Sequence, residues 1–259
     1  MNKEFGLDIT MNEAMLFKYG DNCFGPQPEQ RTLDSIRPSL MDPQCDGPQI
    51  VYSIVMDVGD KRDHRALEER MLLFGVVGYA AGKLGREPVR SQGHIHRISS
   101  HSGWSPPEVY EIWQGTAIIY MQESADDDPG KCYAVIAEKG DVVIVPPSWA
   151  HATISANPAT PLVFGAWCDR EYGFEYDKVR AHKGLAWYPM LDEENNITWQ
   201  ANPNYMKSKM IIKKPGDYYK DFSIEKGTPI YTQFQQNHEK FQFVSKPQLK
   251  ADVWKTFIP

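Results

Sequence analysis

From residue 50 to residue 169 the chain is a succession of short apolar runs, none long enough or periodic enough for an amphipathic helix. They read IVYSIVMDV at 50–58, MLLFGVVGYAAG at 71–82, then PVRSQGHIHRI, EVYEIWQGTAIIYMQ, KCYAVIAEKG, DVVIVPP, HATISAN and PLVFGAWCD. Turn formers separate them, notably ADDDPGK at 125–131, which places Asp126, Asp127 and Asp128 at a hairpin tip, and EKGD at 138–141. Runs rich in β-branched and aromatic residues, spaced by Gly, Pro and Asp with no helical period between them, predict an all-β sandwich or barrel with few short helices. A parallel sheet would need crossover helices, and the one charged interval, KRDHRALEER, reads only as a short turn.

The flanks differ from this middle. Pro and Gly crowd residues 20–50, which predicts an extended arm or covering loops. At the other end TPIYTQFQQNHEKFQFV reads as strand, and a C-terminal arm is expected to add a strand to the sheet edge or to lie across a dimer partner. The expected organisation is an N-terminal arm at 1–49, a barrel at 50–185 and a C-terminal extension at 186–259. A net charge of −6 and a pI near 5.7 argue against nucleic acid, which requires a basic footprint. No apolar run of about 18 residues suggests a membrane span, and the acidic N-terminus does not resemble a signal peptide. Cys23, Cys45, Cys132 and Cys168 form no CxxC pair, so reduced thiols in a cytoplasm are expected. Residues 195–259 carry 10 Lys against 5 acids, so a basic tail accompanies an acidic body.

Three histidines and one glutamate carry the chemistry. His94 and His96 are two apart in a β-like run, which turns both imidazoles to one face. Downstream stand His151, in PPSWAHATI, and Glu108, at the start of EVYEIWQG. Three imidazoles and a carboxylate make a mixed nitrogen and oxygen site for a divalent metal, Fe(II) first, with Mn(II), Ni(II) or Zn(II) as alternatives. His101 and Glu111 are the rival ligands; His101 is assigned to a loop and Glu111 to the opposite strand face. The same parity puts Arg90 and Gln92 beside the histidines, making Arg90 a candidate anchor for an anionic substrate.

The arrangement HxH, Glu108 with six residues between it and Gly115, then Gly140-x5-Pro146-x4-His151 resembles the two motifs of the cupin superfamily, which implies a jelly-roll barrel. Pro88 stands where the first motif has a glycine, Ser148 and Ser155 depart from the second, and the interval from His96 to Glu108 is long. More narrowly, GHIH, PEVYEIWQG, GDVVIVPPSWAH and LVFGAW followed by EYG are similar to the cupin-type glucose-6-phosphate isomerases over roughly residues 50–185. The resemblance implies His94, His96, Glu108 and His151 as metal ligands, Glu108 and Tyr110 as catalytic, and Tyr52, Ser91, Gly93 and Tyr172 around the sugar. A second family threonine falls near Val77 and Gly78, where no hydroxyl is available. The implied activity is isomerisation of glucose 6-phosphate and fructose 6-phosphate, or of a close anionic analogue such as a 6-sulfonated glucose, by a homodimer. An Fe(II) dioxygenase and a non-catalytic metal- or sugar-binding cupin are the alternatives.

Overall fold

The apolar runs become strands close to where their composition puts them, in a computed structural model that describes residues 4–216 and 219–259. In chain order the strands that matter here are β1 (Glu29–Thr32), β2 (Ile50–Met56), β3 (Leu72–Tyr79), β4 (Ile95–His96), β5 (Glu108–Gln114), β6 (Ala117–Gln122), β7 (Cys132–Ala137), β8 (Val142–Val145), β9 (Ala150–Ser155), β10 (Leu162–Asp169), β11 (Phe174–Glu175) and β12 (Met210–Lys213). They form a six-stranded sheet in the order β8-β5-β10-β3-β2-β1 and a four-stranded sheet in the order β9-β6-β7-β12. The chain passes from one sheet to the other in the short turn between β5 and β6, at Gly115; its φ of +78° and the Pro161 carbonyl 2.9 Å from a notional Cβ admit only glycine. This is the jelly-roll barrel of a cupin, with both sheets facing one interior.

Alternation along the strands explains why the runs are continuously apolar. In β3, Leu73 and Tyr79 point into the barrel while Phe74 and Val76 point out; in β10, Phe164 and Ala166 point in while Trp167 points out. A sheet face left in water would have polar residues at the outward positions. Here both faces are covered. Residues between Val179 and Met210 pack on the outside of the four-stranded sheet. The C-terminal residues cover the six-stranded one: the indole of Trp167 stacks on Tyr231 at 5.5 Å and on Phe241 at 5.3 Å, with Phe234 at 4.8 Å.

Three expectations are corrected. KRDHRALEER contains a helix, α1 (His64–Glu69). The run at 228–244 forms helices α2 (Ile230–Gln236) and α3 (Gln242–Ser245) rather than strand. Its aromatic residues at 231 and 234 share one face at helical spacing, and burial against Trp167 and Phe74 outweighs their β propensity. Edge addition comes instead from β12, which pairs in parallel with β7. Third, PVRSQGHIHRI is not one strand: it touches the four-stranded sheet through the single bridges Arg90↔Ile154 and His94↔His151, and its segment β4 pairs with β11. The N-terminal arm does more than cover, since β1 pairs with β2 at the edge of the six-stranded sheet.

Glu111 lies on the outer face of β5, as parity predicts, and ties the barrel to α2. It accepts from the Ile230 N–H and from Trp113 Nε1, both at 3.0 Å, yet burial lifts its pKa from 4.5 to about 7. The folded state therefore holds this proton more tightly than the unfolded state, so stability is lost as pH rises from about 4.5 through 7. At 1.36 kcal/mol per pH unit the loss is about 3 kcal/mol. Melting temperature should fall between pH 5 and pH 8 in the wild type and change less in Glu111→Gln; equal slopes in the two proteins would contradict this assignment.

Candidate metal centre

Gly93 sets the approach to the site. Its φ is +88°, and a Cβ there would sit 2.8 Å from Leu185 Cδ1. This left-handed residue breaks the strand, so parity does not carry from Arg90 to His94. Arg90 consequently turns away: it is 4 % exposed, pairs with Glu87 at 2.6 Å and donates to the carbonyls of Ser39 and Ser91. The expectation that it anchors a substrate anion is corrected on that geometry.

Beyond Gly93 the ligand segments meet directly. His94 and His151 exchange both backbone hydrogen bonds, at 3.0 and 2.9 Å. Glu108 enters from β5, opposite Val145 of β8. The ligand atoms of His94, His96, Glu108 and His151 all lie within 4.8 Å of one another. His96 Nδ1 sits 2.8 Å from the Pro106 carbonyl and His151 Nδ1 sits 3.1 Å from that of Trp149. A carbonyl only accepts, so each Nδ1 holds the ring hydrogen and each Nε2 presents a lone pair. Those lone pairs face Glu108 Oε2 at 3.2 and 3.3 Å, while His94 Nε2 is buried with no hydrogen-bond partner among the described residues. Electron-rich atoms converging in this way fit a bound cation, and the four side chains are the residues that would hold it.

The electrostatics agree. Burial, reinforced by His151 and His96, holds the His94 pKa well below its ordinary value, and burial also lowers that of His151. Burial opposes charge on Glu108 too, but the hydrogen bonds that His151 and His96 make when Nε2 carries a proton outweigh it and hold the carboxyl well below the usual range; a cation at the same point would take the place of those protons. His96 feels the same burial and is nevertheless raised by Glu108. Tyr110 donates to Glu108 Oε2 at 2.7 Å, and its pKa is pushed well up by burial and by that carboxylate, so the hydroxyl keeps its proton.

Beside these groups is a cavity of about 50 Å³ lined by Tyr52, Ser91, His94, Glu108 and Tyr110 together with residues outside the sequence-based set. Thr153 is one, readable by parity from His151. Tyr79 and Tyr176 are others, and Phe174 closes the space with its ring 4.5 Å from that of His94. Cys168, one strand over, donates to Glu108 Oε1 at 3.2 Å. Tyr172 does not line the cavity: it is 45 % exposed and only borders Phe174, whereas Tyr176, four residues on, reaches inward. His101 pairs with Asp169 at 2.8 Å and is not among the clustered ligands.

A jelly-roll barrel that gathers three histidines and a glutamate beside an internal cavity is a cupin. The glucose-6-phosphate isomerase (GPI) family model matches residues 43–207. Curated relatives include the glucose-6-phosphate isomerases of Thermococcus gammatolerans, 28% identical over 134 residues (52% of this chain, 65% of that protein), and Thermococcus litoralis, 26% identical over 160 residues (62% and 75%). The oxalate decarboxylase of Bacillus subtilis aligns at 17% identity over 48% of this chain and 27% of that one, with a TM-score of 0.35. The chain belongs to the glucose-6-phosphate isomerase family, and it spans about two thirds of the length of the first of these relatives.

Metal binding should be visible as stability. At one hundred times its dissociation constant, Mn(II) should raise the unfolding free energy by about 2.7 kcal/mol. His94→Ala and His151→Ala should lose that gain in a thermal melt with and without chelator. An undiminished shift in both variants would mean the ion binds elsewhere.

Proposed function

We propose that the chain is a metal-dependent aldose–ketose isomerase that interconverts glucose 6-phosphate and fructose 6-phosphate. The observation that carries this reading is Glu108, an ionised carboxylate with both oxygens engaged, at the wall of a cavity in a chain of this family. Isomerisation moves a hydrogen between C1 and C2 while the two oxygens exchange carbonyl and hydroxyl character. A divalent metal held by His94, His96, His151 and Glu108, Fe(II) in our reading, would supply Lewis acidity toward those oxygens.

The protein's own groups account for the proton. Tyr110 fixes Glu108 Oε2 and Cys168 fixes Oε1, so the carboxylate plane is set before a sugar binds. The Cys168 thiol is pushed well up by burial and by Glu108, which keeps it a donor rather than a thiolate. Glu108 then takes the hydrogen from one carbon as a proton and returns it to the next on the same face, while the hydroxyl proton passes from one sugar oxygen to the other with Tyr110 assisting that transfer. Ser91 and Thr153 line the same wall, where their hydroxyls suit those of a sugar.

The cavity is narrow, and Phe174 and Tyr176 form part of its wall, so a hexose would enter as these side chains turn outward. The expected homodimer belongs to the same proposal, with the exposed Ile211 and Ile212 of edge strand β12 as a surface for it.

A coupled assay with fructose 6-phosphate tests the activity. Tyr110→Phe should lower kcat by about a hundredfold with metal content unchanged, as expected for removing a proton-holding group. Deuterium from solvent should appear at C2 of the product; its complete absence would replace proton transfer by a hydride shift. Oxygen consumption without isomerisation would replace the isomerase by a dioxygenase.

A further inference from the structure

With Arg90 committed to Glu87, an anionic sugar still needs a cation at the cavity, and the N-terminal arm supplies one. Arg31 lies on β1 directly opposite Tyr52 of β2. Cross-strand partners project to the same face, and Tyr52 lines the cavity. The guanidinium faces the hydroxyls of both Tyr52 and Tyr176, the latter also a cavity residue, and its charge reaches His94. Among the described residues its one ion pair runs from Nη1 to Glu29, a mostly exposed side chain two residues earlier. Arg31 Nε is buried and has no hydrogen-bond partner among the described residues.

A buried N–H left unpaired is costly, and the fork that Nε forms with the neighbouring amine of this partly exposed guanidinium matches two oxygens of a phosphate or sulfonate. The surroundings favour an anion. Tyr176 lies between two arginines, with Arg31 at its hydroxyl and the Arg180 guanidinium 5.0 Å from its ring centroid. Arg180 is held there by Gln92 at 2.9 Å. Glu29 is the opposing carboxylate, and its exposure lets it leave for water when another anion arrives.

We propose that Arg31, with the hydroxyls of Tyr52 and Tyr176, binds the terminal anion of the sugar, and that Glu29 occupies the guanidinium until the anion displaces it. Arg31 precedes the family-matched segment, 43–207, so this residue is a contribution of the arm. The assignment builds on the isomerase reading, but its anion chemistry can be measured without turnover.

Inorganic phosphate is the probe, titrated calorimetrically into the metal-loaded full-length protein. Arg31→Ala should weaken phosphate at least tenfold, Arg31→Lys should weaken it less because charge survives without the fork, and Glu29→Gln should tighten it severalfold. In the coupled assay the KM for fructose 6-phosphate should rise at least tenfold in Arg31→Ala while kcat stays within about threefold. Phosphate held by the metal alone would leave all three variants like the wild type, which overturns the proposal, as does a wild type that binds no phosphate. Should Arg31→Ala melt early, the opposite shifts in Arg31→Lys and Glu29→Gln decide the question. Phosphate binding that follows Arg31 in a protein with no fructose 6-phosphate turnover would refute the isomerase reading and leave the anion site standing.

Discussion

Everything at the site depends on keeping Glu108 ionised inside a barrel. A bare carboxylate in such surroundings would take up a proton, since the cost of burying its charge exceeds any packing gain. Glu108 avoids this through partners from separate parts of the fold: Tyr110 on its own strand, Cys168 on β10, His151 on β9 and His96 on β4. No single element could assemble that set. The carboxylate is therefore sensitive to the register of several strands, and a slip of one residue would turn its partners to the outer faces.

What holds the registers is burial on both sides of each sheet. Slipping β10 by one residue would exchange Trp167 with Ala166 or Cys168, so an indole would enter the barrel interior and a small side chain would face the helices. Neither face could repack around such a change in volume without a cavity or a clash. The C-terminal helices thus serve the site at a distance: by covering Trp167 and Phe74 they make the outer face as discriminating as the inner one.

This division explains what the residues reveal when read in order. The strands are legible because each is a short run whose composition suits only a sheet, and the four clustered side chains stand out because HxH and the Glu108 to Gly115 interval are local. Arg90 is misread because a single glycine, Gly93 at φ +88°, cancels the parity on which the reading rests. The run at 228–244 is misread because its aromatics suit a strand by type and a helix by spacing, and only the exposed flank of the barrel decides between them. Tyr176 and Cys168 carry no local mark of their function. Their proximity to the ligands is created by the β4–β11 pairing and by the β5–β10 pairing, each between segments distant in sequence.

The charge distribution gains a different meaning once the arm is placed. A chain of net charge −6 repels an anion at long range, yet such repulsion is largely screened beyond about 8 Å at physiological salt. Within that distance local charges govern, and beside the cavity residues Tyr52 and Tyr176 they include Arg31 and Arg180 against Glu29, with Glu108 buried inside. A divalent ion in the histidine cluster would offset Glu108, leaving the rim positive whenever Glu29 turns to solvent. Selection for an anionic sugar over a neutral one would then rest on a few charges at the mouth and hardly at all on the protein's overall field.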